Sequence, residues 1–224
     1  DVVLEESYRT ECEIHTPMEL HGCVASWDGD RLTIWESTQG VYRVQKNVAD
    51  ILHLPLSKVR VIGHYMGGGF GSKLQAGKYT IIAALLAKIS DRIRRRNQWT
   101  CQMAEEHRGL VAFLSVDPIM GPEVMVAEVK DRIDYGGARG LKIHPGEGRF
   151  YPDDPILGPV YEAMVERGLP VVSHGGLDIV NPDPSYTRPA AFAGVAEQHP
   201  DLKLVIANLG NNFFDESVQM AAKY

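Results

Sequence analysis

The sequence predicts an α/β composite in two segments: a strand-rich α+β stretch up to about residue 90, then a row of β/α units. Three observations carry this reading. Apolar and polar residues alternate on both sides of Asp28-Gly29-Asp30, a strong hairpin signal. The glycine run Gly67-Gly68-Gly69 lies between a short strand and a helix. After Ser90, short apolar strands alternate with helix-length segments, the grammar of parallel β/α units.

In chain order, residues 2–14 mix apolar and polar side chains. Residues 23–27 and Arg31–Glu36 form the two arms of the hairpin. Val41, Val44, Val48, Ile51 and Leu52 recur at helical spacing. Pro55 and Ser57 mark a turn before a strand at Val59–Ile62. Residues 77–90 are alanine-rich and apolar, which predicts a buried helix. Beyond them a separate helix is expected at 97–107. Strands follow at 110–116, 138–143, 169–173 and 203–207, with helices at Pro122–Asp134, 156–167, 188–198 and 214–222. That makes four strands. His144, His174 and Asn208 each fall just after one of them, at what would be the catalytic rim of a barrel. His107 and His199 read as surface residues at helix ends.

Composition narrows the function classes. A hydrophobic share of 44% and a charged share of 23% are ordinary for a soluble globular chain. The formal net charge of −6 opposes nucleic-acid binding. The run Arg92-Ile93-Arg94-Arg95-Arg96 reads as a solvated helix face. Cys12, Cys23 and Cys101 form neither a CxxC pair nor a zinc knuckle, so reduced thiols in the cytoplasm are expected. No apolar run reaches the ~20 residues of a membrane span, and no signal peptide is visible. The chain starts at Asp1 and stops abruptly at Tyr224, which predicts a fragment or processed chain.

The glycine loop reads Met66-Gly67-Gly68-Gly69-Phe70-Gly71-Ser72-Lys73. Consecutive glycines bring backbone N–H groups close to an anion, which suits a phosphate or a pterin-dithiolene cofactor. The spacing fits neither a P-loop nor a dinucleotide fingerprint. A tight strand-to-helix turn explains the glycines equally well. Upstream lie Ser37-Thr38-Gln39-Gly40 and Pro17-Met18-Glu19-Leu20-His21. Glu19 and His21 read most simply as a buried, hydrogen-bonded pair.

In the order and spacing of these three elements, residues 1–90 resemble the large subunit of the molybdenum hydroxylases, the xanthine dehydrogenase and aldehyde oxidase family. The resemblance implies a molybdenum-molybdopterin site using Gln39, Gly67, Gly68, Gly69, Phe70 and Gly71. Gln39 would hydrogen-bond an oxo ligand of the metal, with Gly69 and Phe70 beside the metal centre. Leu74 stands where xanthine-type members carry an acidic residue, so an aldehyde substrate is expected over a purine. Nothing in the chain corresponds to the family's catalytic glutamate or to its iron–sulfur and flavin modules.

Residues 91–224 carry Val116-Asp117-Pro118, Gly140-Leu141-Lys142-Ile143-His144-Pro145, Pro170-Val171-Val172-Ser173-His174 and His199-Pro200-Asp201-Leu202-Lys203. With Asn97-Gln98-Trp99-Thr100, these blocks resemble the amidohydrolase-related family, including decarboxylases of the aminocarboxymuconate-semialdehyde type. The resemblance implies about half of a (β/α)8 TIM-type barrel and makes His174 a ligand to zinc or another divalent metal. Taken alone, His174 reads as a satisfied polar residue. Asn208 replaces the family's acid–base histidine and cannot titrate. The family's His-x-His pair and its aspartate ligand have no counterpart here, so no catalytic set is complete.

The expectation is therefore a chimeric or truncated chain, its two parts joined near residue 90 and without activity alone. A metal-dependent hydrolase or decarboxylase, and an aldehyde- or xanthine-type oxidoreductase completed by partner chains, are the alternatives. A small-molecule substrate is expected if the chain is active. Uncovered apolar surface predicts a homo-oligomer or dependence on other chains.

Overall fold

The computed structural model describes residues 2–3, 5–9, 14–178 and 183–224. Cys12 and part of the 2–14 run lie outside them. The chain divides into two compact units, Asp1–Ala87 and Lys88–Tyr224.

The first unit is built on a three-stranded sheet of order β1-β2-β3, formed by β1 (Cys23–Asp28), β2 (Arg31–Glu36) and β3 (Val59–Ile62). β1 and β2 form the expected antiparallel hairpin, with Asp28 opposite Arg31 and Gly29 at φ +66° in the turn. β3 adds in parallel to β2. Alternation decides which face is covered: Leu32, Ile34 and Glu36 of β2 are buried, as are Val59 and Val61 of β3. Helix α1 (Val41–Ile51) contributes Val44, Val48 and Ala49 to the same core. Trp27 closes it, its indole N–H donating to the Ala84 carbonyl at 2.8 Å.

Glu36 is the anomaly of that core. Its Oε1 accepts from the Thr80 hydroxyl at 3.1 Å, while Oε2 is buried with no partner among the described residues. Burial pushes its carboxyl pKa up. A raised folded pKa means that this group stabilises the fold at pH values below the ordinary glutamate range. That contribution is lost as pH rises through the raised value. Glu36→Gln, which removes the buried charge and keeps an acceptor for Thr80, is expected to stabilise the first unit at neutral pH and to lose that advantage as the pH is lowered. Urea unfolding at pH 5 and pH 8 checks this, since the variant should lose the wild type's decline between them.

Helix α2 (Lys78–Glu106) corrects two expectations. The predicted helices at 77–90 and 97–107 are one unbroken helix, because no Gly or Pro falls between residues 78 and 106. Nor is its first part wholly buried: Ile82, Leu85, Leu86 and Ile89 are exposed, Thr80 and Ala84 are buried, and Ile81 and Ala87 pack partly covered against the core. The arginine run is solvated as expected, with Arg92, Arg94, Arg95 and Arg96 exposed and Ile93 buried.

The second unit holds four parallel strands in the order β4-β5-β6-β7: β4 (Phe113–Ser115), β5 (Gly140–Ile143), β6 (Val171–Ser173) and β7 (Leu204–Ile206). Between them run α3 (Pro122–Asp134), the one-turn α4 (Pro145–Gly148), α5 (Gly158–Glu166) and α6 (Ala193–Gln198); α7 (Phe214–Lys223) follows β7. α4 was not anticipated. Two predicted helices start late: 156–167 opens as a 3₁₀ turn at Pro155–Leu157 and 188–198 as one at Pro189–Phe192. Leu114, Leu141, Ile143 and Val171 join Met125, Val129, Val160 and Met164 in the core. His199 is partly covered and meets the Tyr161 ring edge-on at 5.4 Å, so it is less a surface residue than expected.

The outer edge of β4 is occupied by a side chain. Asn97 Oδ1 accepts from the Ser115 amide at 2.8 Å, and Asn97 Nδ2 donates to the Ser115 carbonyl at 2.9 Å. The carboxamide thus copies the hydrogen bonds of a neighbouring strand. No helix among the described residues is long and apolar enough to cross a membrane.

Candidate functional site

In the first unit, the glycine loop is fastened to the segment leaving β2. Gln39 N donates to the Lys73 carbonyl at 2.9 Å. Gln39 Oε1 accepts from the amides of Gly71 at 2.8 Å and Lys73 at 3.4 Å. Those two N–H groups fix the orientation of the carboxamide. Its Nε2 is left as a donor with no partner among the described residues. A Cβ on Gly69 would lie 2.4 Å from Gln39 Oε1, so only glycine permits this approach. Phe70 sits in the left-handed region at φ +49° and is 72% exposed. That is a costly conformation for an aromatic residue, of the kind concentrated at functional sites.

The amides of Gly68, Gly69 and Phe70 have no hydrogen-bond partner among the described residues, so the loop apex presents unpaired donors suited to an anion. These residues fit part of a pterin-type cofactor. The sequence expectation for Glu19 and His21 fails: they do not pair. His21 Nε2 lies 3.2 Å from the Ser72 carbonyl, while Glu19 bonds Ser37, Gly67 and Lys73. Contacts across some fifty residues leave no periodic mark in a sequence.

In the second unit, His144 follows β5 and His174 follows β6, and the strand register brings them together. Their rings stack with centroids 4.2 Å apart and planes 8° apart. Asp178 completes a group whose ligand atoms all lie within 4.8 Å of one another. His144 caps α4: its Nδ1 accepts from the Glu147 amide at 3.2 Å, which leaves the proton on Nε2, 3.4 Å from Asp178 Oδ2. His174 Nε2 is buried with no partner among the described residues. Burial, then the neighbouring His144, lower the His174 pKa, which favours the neutral ring. Burial alone lowers that of Lys142 on β5.

The donor set fits a divalent metal only in part. A metal–nitrogen bond lies in the imidazole plane, and stacked parallel rings have planes that do not meet. The two histidines therefore cannot share one ion as they stand. Tetrahedral zinc also needs ligand atoms about 3.4 Å apart for bonds of ~2.1 Å. The orphaned His174 Nε2 suits one ligand position, and Asp178 lies near enough for a second. Sequence reasoning missed Asp178, which has no motif of its own.

Asn208, at the end of β7, is in the left-handed region at φ +62°, followed by Leu209 at φ +48°. Asn212 is at φ +70°, a conformation that asparagine is among the few residues other than glycine to tolerate. Asn211 Nδ2 donates to the Leu177 carbonyl at 3.0 Å, tying this turn to the loop after His174. A groove of about 580 Å³ lies elsewhere, lined by Phe192, Val195, Leu204, Val205 and Met220, and includes none of these polar residues.

Comparison with known proteins gives two family matches. Residues 1–108 match the molybdopterin cofactor-binding domain, and residues 60–224 match the amidohydrolase family, so the two overlap over 60–108. The chain is 38% identical over 91 residues to the aldehyde oxidoreductase molybdenum-binding subunit PaoC of Escherichia coli, covering 41% of this chain and 12% of that protein. It is 34% identical over 111 residues to the nicotinate dehydrogenase large molybdopterin subunit of Eubacterium barkeri, covering 48% of this chain and 26% of that one. The chain thus spans only a fraction of the length of these relatives.

Among solved structures, an uncharacterised TIM-barrel protein, Bb4693 from Bordetella bronchiseptica, superposes with a TM-score of 0.51 at 23% identity, covering 57% of this chain and 45% of that one. That likeness concerns the fold: a partial barrel of parallel strands. With residues 60–224 matched, the chain belongs to the amidohydrolase family, and its residues 1–108 match the molybdopterin cofactor-binding domain.

Proposed function

We propose that this polypeptide is a composite of residues 1–90 and 91–224, and that neither part holds a complete active site by itself. The first would cradle part of a molybdenum-molybdopterin cofactor of the aldehyde-oxidising kind through Gln39, Gly67, Gly68, Gly69, Phe70 and Gly71. The second is an amidohydrolase half barrel offering a divalent metal one free imidazole, His174, with Asp178 beside it. The observation that carries the reading is the His144–His174 stack. Within it, the Glu147 amide on His144 Nδ1 and Asp178 beside His144 Nε2 leave His174 as the histidine of the described cluster with an unpartnered ring nitrogen. A catalytic zinc usually needs about three protein ligands.

The relatives named above are molybdenum-binding or large molybdopterin subunits, which supports completion of the first part by partner chains. Such a cofactor supplies the oxidation chemistry when bound. This chain's part is to hold it with loop amides and donate from Gln39 Nε2. A reducing, cytoplasmic setting accords with the free thiols of Cys23 and Cys101.

Zinc titration calorimetry on the full chain tests the second part. His174→Ala is expected to weaken zinc binding by about tenfold or more, while His144→Ala leaves it within about threefold. Equal binding by wild type and His174→Ala would remove His174 from the site. Decarboxylase or aldehyde-oxidising turnover by the isolated polypeptide would overturn the incomplete-site reading.

A further inference from the structure

We infer that Glu19 is a positioning residue for the glycine loop, holding both ends of residues 67–73 against the segment that carries Gln39. One atom does this. Glu19 Oε2 accepts from the Ser37 hydroxyl at 2.6 Å, the Gly67 amide at 2.8 Å and the Lys73 ammonium at 2.5 Å. Gly67 opens the loop, Lys73 closes it, and Ser37 lies two residues before Gln39. Lys73 Nζ also donates to Ser37 Oγ at 3.0 Å, which closes the network.

Burial makes the arrangement directional. The Lys73 side chain is fully enclosed, whereas that of Glu19 is 37% exposed. The carboxylate is the counter-charge that allows an enclosed ammonium at the loop's end. Glu19 also fills the space beside Gly67, where an added Cβ would lie 3.0 Å from Glu19 Cβ. On the far side of the loop, the Thr38 hydroxyl and Gln39 N both donate to the Lys73 carbonyl. Lys73 is thus gripped at its ammonium by Glu19 and at its backbone by Thr38 and Gln39. With the ends held, Gln39 Oε1 keeps the Gly71 and Lys73 amides, and the Gly68–Phe70 amides stay turned away from internal partners. The cofactor role of those groups rests on the reading proposed above; the clamp itself does not.

Hydrogen–deuterium exchange on the full, cofactor-free chain separates the two. Glu19→Gln removes the charge, and Glu19→Asp keeps it but is one methylene too short to reach all three partners. Glu19→Gln/Lys73→Met removes both charges and guards against failure to fold. Exchange of the paired amides in 67–73, those of Gly67, Gly71, Ser72 and Lys73, is expected to accelerate about tenfold or more in all three, with the β1–β2 hairpin still protected in Glu19→Asp and the double variant. Glu19→Asp should melt within a few degrees of wild type, which a merely structural glutamate would not allow alongside a loosened loop.

Wild-type exchange of 67–73 in Glu19→Asp and the double variant, or acceleration only in step with global stability, overturns the inference. Pterin content after expression in a molybdopterin-producing host is the second readout. It should fall about fivefold or more in Glu19→Asp if the loop holds the cofactor. A wild type with a protected loop and no pterin defeats the cofactor reading and leaves the clamp standing.

Discussion

Asn97→Ala is expected to destabilise the second unit by about 2–4 kcal/mol, because it strips both hydrogen bonds from Ser115 at the edge of β4. Asn97 is 2% exposed, and its Nδ2 also approaches Glu128 Oε1 at 3.4 Å. Glu128 is itself buried and paired with Arg94 and Arg132. An alanine would leave the Ser115 amide and carbonyl facing a void and free one side of a buried carboxylate. Asn97→Asp should be no better: it keeps the acceptor for the Ser115 amide but loses the donor and sets a second carboxylate beside Glu128. Urea unfolding followed by circular dichroism reads the loss. A change below about 0.5 kcal/mol in Asn97→Ala would show that water replaces the carboxamide at no cost.

Leu141→Ala is expected to cost the second unit about 2–5 kcal/mol through the lost side chain and the cavity left behind. Leu141 is fully buried at the middle of the sheet, opposite Leu114 on β4 and Val171 on β6, both also fully buried. Three adjacent strands therefore lose packing from one deletion. Leu141→Met, which conserves volume, should cost less than about 1.5 kcal/mol. Val205→Ala on β7, where the side chain is 47% exposed, should change little. If Leu141→Ala unfolds no more readily than Val205→Ala, the assigned core of the second unit is wrong.

Much of the fold was legible because local chemistry states it. Asp28-Gly29 names its own hairpin, Pro122 and the apolar stripe of Val129 and Ile133 fix α3, and the parallel strands follow from helices placed between apolar runs. The helix across residues 78–106 is one the sequence hides: family resemblance changes near residue 90, yet helix propensity runs through it without a break. At the candidate sites, sequence singled out Gln39, the glycines, His144 and His174, but not the contacts they make. That Gln39 turns its oxygen inward, that His144 spends Nδ1 on capping α4, and that Glu19 reaches Lys73 are all facts of tertiary geometry. None has a spacing rule.

The carboxamide on Ser115 also makes the four-stranded sheet a one-ended template. At that residue β4 has already met its hydrogen-bonding needs from within, while β7 stands at the opposite border with no strand beyond it among the described residues. A strand adding beside β4 would have to displace the Asn97 carboxamide at Ser115.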